Sequence, residues 1–113
     1  MNAKINRHID SDGKYHREDG PAVEYSDGSK SWYIHGERHR EDGPACEYSC
    51  GTKWWYKHGK AHREDGPAYE KANGYKYYWL EDIEYTEKEY WKKIKELKKC
   101  KLFKLKGKEI GWV

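Results

Sequence analysis

The residues of this chain best suited to chemistry are histidines and carboxylates, and they come in threes. His16-Arg17-Glu18-Asp19, His39-Arg40-Glu41-Asp42 and His62-Arg63-Glu64-Asp65 are the same tetrapeptide, each followed by Gly-Pro-Ala and each 23 residues from the next. An imidazole beside two carboxylates is a composition that can relay protons or ligate a metal. The repetition argues against both. A unique active site does not recur in every unit, whereas a corner of a scaffold does.

A metal site is disfavoured by distance. With two strands per unit, equivalent positions lie about 9–10 Å apart, whereas zinc needs each ligand within about 2.3 Å. Equivalent copies such as His16, His39 and His62, or His35 and His58, cannot then share one ion. The cross-turn pairs His35 with His39 and His58 with His62 are what remains. Cys46 and Cys50 have no second cysteine pair to complete a site. The histidines are therefore read as turn residues that bond backbone or carboxylates, Cys46 as a small buried thiol, and no metal or cofactor is expected. Arg17, Arg40 and Arg63 are expected to bridge Glu and Asp of their own or the adjacent unit, with the Asp shaping the turn before Pro. The sequence holds no nucleophile elbow, phosphate-binding glycine loop or cofactor fingerprint. No enzyme is expected and no catalytic residue is assigned.

The elements that would carry these residues follow from the period. The units run over residues 15–37, 38–60 and 61–83, with a partial unit at 1–14 and a separate segment at 84–113. Each unit reads as two short strands. The first is Pro21–Tyr25, repeated at Pro44–Tyr48 and Pro67–Lys71. Turns follow at Ser26-Asp27-Gly28, Ser49-Cys50-Gly51 and Ala72-Asn73-Gly74, where Asp-Gly and Asn-Gly are strong hairpin signals. The second strand is Ser29–Ile34, repeated at Thr52–Lys57 and Tyr75–Leu80. A two-residue turn at Asp27-Gly28 predicts one face of Val23, Tyr25, Lys30, Trp32 and Ile34, and an opposite face of Ala22, Glu24, Ser31 and Tyr33. A three-residue turn would slip the register and exchange these sets. The first face is aromatic in every unit and is the expected core. The second changes along the chain, Ser31 becoming Trp54 and then Tyr77.

The last segment differs in charge. Residues 1–83 carry 13 Lys/Arg and 15 Asp/Glu, and residues 84–113 carry 10 Lys and 5 Glu. Thr86 and Glu89 fit a capping box, and Tyr90, Ile94 and Leu97 follow at helical spacing. A helix is predicted from about Thr86 to Lys99. A closing hairpin is predicted from Lys101–Lys106, a turn at Gly107, and Glu109–Val113. Together they would cap the last sheet edge. The fold class expected is mainly β: a repeat-built, twisted antiparallel meander with a C-terminal helix and hairpin.

These units resemble the MORN repeat, a β-hairpin unit with aromatic and glycine positions. The residues that carry the likeness are Trp32-Tyr33, Trp55-Tyr56 and the reversed Tyr78-Trp79, the turn glycines Gly36 and Gly59, and Gly20, Gly43 and Gly66. Pro21, Pro44 and Pro67 stand where the MORN pattern has a second glycine. The spelling is similar to that of bacterial MORN-type antitoxin-like proteins and of small phage and giant-virus proteins. The resemblance covers residues 5–83 and implies hairpin repeats that serve as binding scaffolds.

The expected function is a non-enzymatic protein-binding module, an inhibitor of antitoxin or phage counter-defence (anti-CRISPR) type. Its expected partner is a bacterial protein, such as a toxin or a host defence protein. The contact residues are Ser31, Tyr33, Trp54, Tyr56, Tyr77 and Trp79, or Trp32, Trp55 and Tyr78 on the opposite face, depending on which side the cap covers. Trp and Tyr are the types enriched at binding hot spots. The alternative is a nucleic-acid or acidic-membrane binder acting through Lys92, Lys95, Lys98, Lys99, Lys101 and Lys104, interleaved with Tyr90, Trp91, Phe103 and Trp112. The sheet edge near Ile5 to Ser11 is a candidate for homodimerisation. No apolar run suits a membrane span or signal peptide. The three cysteines, Cys46, Cys50 and Cys100, are expected as free thiols in a reducing cytoplasm.

Overall fold

The computed structural model describes residues 4–109. Its strands are β1 (Lys4–Arg7), β2 (Val23–Tyr25), β3 (Lys30–Ser31), β4 (Tyr33–Ile34), β5 (Glu37–Arg38) and β6 (Cys46–Glu47). They continue with β7 (Lys53–Trp54), β8 (Tyr56–Lys57), β9 (Lys60–Ala61), β10 (Tyr69–Glu70), β11 (Lys76–Leu80) and β12 (Ile83–Tyr85). A single helix, α1 (Glu87–Glu109), closes the described chain. Among the described residues the main sheet is antiparallel, in the order β1-β2-β3-β6-β7-β10-β11-β12, with β4-β5 and β8-β9 as small side hairpins. The mainly β architecture expected from the sequence is present.

The register differs from the two-residue turn expected. Val23 pairs with Ser31 and Glu24 with Lys30, so the loop holds three residues, 26–28. The Tyr25 N–H donates to the Ser29 carbonyl at 2.9 Å and the Gly28 N–H to the Tyr25 carbonyl at 3.0 Å. Gly28, Gly51 and Gly74 close the three loops with φ of +93°, +99° and +94°. A type I turn followed by a left-handed residue needs glycine at that third position. The faces are exchanged accordingly. Val23, Tyr25, Ser31 and Tyr33 share one face, while Ala22, Glu24, Lys30, Trp32 and Ile34 share the other. The expected second strands are also interrupted, at Trp32 and Trp55, and only β11 runs unbroken.

The second turn of each unit is a two-residue loop with both residues left-handed: His35 and Gly36 at +46° and +86°, His58 and Gly59 at +50° and +81°. Glu81 and Asp82 take the same place at +49° and +67°. This last hairpin carries β12 to Tyr85, past the unit boundary at residue 83.

Thr86 caps α1 as expected. Its hydroxyl accepts the Glu89 N–H at 3.2 Å, and the Glu89 carboxylate accepts the Thr86 N–H at 3.2 Å. The helix then runs past Lys99. Residues 101–106, expected as a hairpin strand, are helical. Leu, Lys and Glu are good helix formers, and the first glycine is Gly107. Residues 110–113, including Trp112, lie outside the described residues, as do the side chains of Lys101, Phe103 and Lys104.

The helix packs on one face of the last strands. Tyr78, Leu80, Tyr90 and Ile94 form a buried cluster, with Tyr85 and Leu97 against it. Tyr90 is fully buried. Its hydroxyl donates to the Arg63 carbonyl and accepts the Gly66 N–H at 3.2 Å. Its ring lies 4.8 Å from that of Tyr78, much as Arg40 lies over Trp32 and Arg63 over Trp55 in the earlier units. The helix thus occupies the position that a fourth corner would fill.

Candidate functional site

The repeated tetrapeptide is a set of clamps. Nδ1 of His16, His39 and His62 accepts the N–H of His35, His58 and Glu81 at 2.9, 2.9 and 3.0 Å. Each of these N–H groups opens a left-handed turn 19 residues further on. An accepting Nδ1 puts the proton on Nε2, which in His39 and His62 donates to Glu41 and Glu64 at 2.6 and 2.9 Å. Both ring nitrogens of these two histidines are therefore engaged. The rings of His16 and His35 stack at 4.0 Å, and those of His39 and His58 lie 4.3 Å apart. The pairings are within units, not the cross-turn pairs His35 with His39 and His58 with His62 that would join one unit to the next. Among the described residues no group of three His, Cys, Asp or Glu could hold a metal ion.

The arginines complete each corner. Arg17, Arg40 and Arg63 donate through Nε to Asp19, Asp42 and Asp65 at 2.8–3.0 Å. They also donate to the carbonyls of Pro21, Pro44 and Pro67 at 3.0–3.2 Å. Arg40 and Arg63 reach Glu47 and Glu70 as well, and lie 3.8 and 3.9 Å over the rings of Trp32 and Trp55. A Cβ on Gly43 would meet the Arg40 guanidinium at 3.0 Å, so the glycine leaves room for the stacked arginine. Trp32, Trp55 and Tyr78, the alternative contact set, are occupied by Arg40, Arg63 and α1.

The opposite face carries the other set. Ser31, Tyr33, Trp54, Tyr56, Tyr77 and Trp79 lie together on the side that α1 does not cover. The exchanged register adds Tyr25 and Tyr69 to them. Trp54 stacks on Tyr69 at 4.0 Å and 10°. Tyr69 continues to Tyr77 at 5.5 Å, and Trp54 meets Tyr56 and Trp79 at 5.6 and 6.0 Å. Apart from buried Ser31, the six expected residues are half-buried. Tyr48, in the second unit, is 42% exposed. Burial raises the phenol pKa of Tyr25, Tyr48 and Tyr56 above the ordinary value, which keeps them as O–H donors. The Trp79 Nε1 is buried without a partner among the described residues. Val23 and Cys46 are buried beneath the rings, and burial pushes the Cys46 thiol pKa up.

The lysines lie elsewhere. Lys92, Lys95, Lys98 and Lys99 are exposed on α1. Lys98 lines a groove of about 720 Å³ with Glu41, Asp42, Glu64 and Asp65, so acidic corners neighbour it. Among the described residues no helix is long and apolar enough to cross a membrane. Sequence reasoning missed the 19-residue histidine clamps and the contribution of Tyr25 and Tyr69. The recurrence of His-Gly 19 residues after His16 and His39 was the available signal for the former. Comparison with known proteins finds no family model, no curated protein and no solved structure that matches this chain.

Proposed function

We propose that this chain is a non-enzymatic protein-binding module that occupies a partner's surface through its uncovered aromatic face. The observation that carries the reading is the ladder of Tyr69, Trp54, Tyr77, Tyr56 and Trp79 on the side opposite α1. Trp and Tyr dominate interface hot spots, and rings already fixed by stacking lose little freedom on binding. The histidines and arginines that could suggest catalysis are bonded into corners, which supports a structural role for them. The likeness of the units to MORN repeats adds the expectation of an inhibitor that blocks a bacterial toxin or defence protein.

The rival reading is phosphate binding by the exposed lysines of α1. Affinity capture with the intact chain separates the two. The protein-binding reading expects one partner protein, retained at high salt and lost in Trp54→Ala/Tyr77→Ala with the circular dichroism unchanged. Capture that falls steeply with salt and is lost in Lys92→Gln/Lys95→Gln/Lys99→Gln would favour phosphate contacts instead.

A further inference from the structure

The cations of this protein fall into two groups. Arg17, Arg40 and Arg63 each hold an aspartate. Lys4, Arg7 and Arg38 are different: among the described residues no carboxylate lies within ion-pair distance of any of them. All three are exposed. The register puts all three on the aromatic face, at its N-terminal end. Lys4 is opposite Tyr25, Arg7 is opposite Val23, and Arg38 is opposite Tyr33.

Tyrosines surround them. Lys4 donates to the Tyr15 hydroxyl at 2.6 Å. That hydrogen bond first, with the nearby Arg7 charge also contributing, holds the Tyr15 pKa below the ordinary phenol value. The Arg38 guanidinium lies 5.9 Å from the Tyr33 ring and 5.5 Å from the Tyr56 ring. Beside them opens a groove of about 600 Å³ lined by Arg7, Ile9, Lys14 and Tyr15, with no carboxylate in its wall. Ile9 is 60% exposed there. Glu84, opposite Trp79, stands at the other end of the face.

Free cations amid phenol donors call for anionic oxygen. A guanidinium fits a carboxylate in two parallel hydrogen bonds. A single-stranded nucleic acid would also bring negative charge, but its bases need open ring faces to stack on. Here the rings turn toward one another, Tyr15 to Tyr33 at 5.2 Å and Trp54 to Tyr69 at 4.0 Å. What the surface offers is rings already paired, hydroxyls and cations, which suit carboxylates set among apolar side chains.

We infer that the N-terminal half of the aromatic face binds an acidic segment of the partner protein, with Lys4, Arg7 and Arg38 as its anchors. The inference rests on the reading of this face as the partner-binding surface and supplies the chemistry of what it takes. Carboxylates of the segment pair with the three cations, and its apolar residues lie against the tyrosines and Ile9.

Fluorescence anisotropy with the intact chain tests it. The probes are a short labelled peptide of alternating Glu and Leu, its Lys-Leu counterpart, and a labelled oligothymidylate. The Glu-Leu peptide should bind best. Arg7→Gln/Arg38→Gln should weaken it about tenfold or more, while Lys92→Gln/Lys95→Gln/Lys99→Gln leaves it unchanged. Adding the peptide to the unmutated chain should shift the NMR signals of Tyr15, Tyr33 and Tyr56, a readout that needs no variant to fold. Tighter binding of oligothymidylate, absence of Glu-Leu binding, or loss only in the helix variant would overturn the inference. A captured partner that depends on Trp54 and Tyr77 but not on Arg7 and Arg38 would overturn it while leaving the protein-binding reading intact.

Discussion

The corner arginines permit an internal comparison, because one of the three lacks part of the usual set. Arg40 donates to Asp42, to the Pro44 carbonyl and to Glu47, and lies 3.8 Å over the Trp32 ring. Arg17 donates to Asp19 and to the Pro21 carbonyl, and has the imidazole of His8 at 3.2 Å where Arg40 has a glutamate. His8 stands where Trp32 stands, its N–H donating to the Ala22 carbonyl and its carbonyl accepting the His16 N–H as those of Trp32 do with Ala45 and His39, so Arg17 has no indole to stack on. The aspartate pairs are solvent-screened, with Asp42 and Asp19 both more than 80% exposed, and contribute little. The part-buried carbonyl bonds contribute about 1 kcal/mol. The Trp32 stack and the Glu47 pair add about 1 kcal/mol apiece to Arg40 alone. Arg40→Ala should therefore cost about 3 kcal/mol and Arg17→Ala about 1 kcal/mol. Urea unfolding followed by Trp fluorescence measures both, and Arg40→Lys should recover little because an ammonium cannot stack and fork at once. Equal costs for Arg40→Ala and Arg17→Ala would refute the claim that the recurring arginine serves packing between units.

Other consequences are read as directly. Tyr90→Phe removes the hydroxyl that joins the Arg63 carbonyl and the buried Gly66 N–H, and should lower stability by about 1–3 kcal/mol; a loss below about 0.5 kcal/mol would deny that α1 seals the third corner. Asp10 has its pKa lowered to about 2, first by the hydrogen bond to His35 and then by the backbone N–H of Lys14. A depressed carboxylate pKa stabilises the folded chain above the ordinary value near 3.9 and loses that contribution as pH falls toward 2. The difference in unfolding midpoint between the natural chain and Asp10→Asn should accordingly shrink over that range, and a constant difference would contradict it. Cys50 is exposed, with its thiol pKa lowered by the Thr52 hydroxyl, whereas burial raises that of Cys46. Iodoacetamide should modify Cys50 in the folded chain and leave Cys46 untouched until urea unfolds it.

Much of this architecture is legible in the 23-residue period. The period alone implies strand pairs, and it marks the tetrapeptide as scaffold before any contact is known. Thr86 and Glu89 announce the helix start because a capping box is a local device. The hairpin register was not legible, because Asp27-Gly28 satisfies both a two-residue loop and the last two positions of a three-residue one. In the first loop the Asp27 carboxylate holds the three-residue form, accepting the Ser29 N–H and hydroxyl and then the Ser49 hydroxyl of the next unit. The contact spans 22 residues, beyond any local rule. The end of the helix was missed for the opposite reason: the Leu-Phe-Lys-Leu spacing suits a strand as well as a helix, and the absence of a breaker before Gly107 lets the preformed helix continue. As for the candidate site, the six residues from Ser31 to Trp79 were grouped by alternation along one strand of each unit, which holds whatever the loop length. Their neighbours Tyr25 and Tyr69 come from the partner strands, whose face depends on the register.

Site-specific photo-cross-linking tests most directly the proposed division between a repeated scaffold and an aromatic partner-binding face. A benzophenone amino acid is placed in turn at exposed Tyr48 on the aromatic face, at Glu18 on a corner and at Lys95 on α1. The account predicts that one protein is cross-linked from position 48 and not from positions 18 or 95. Cross-links from position 95 or 18 in the absence of any from position 48, or nucleic acid as the cross-linked species, would contradict it.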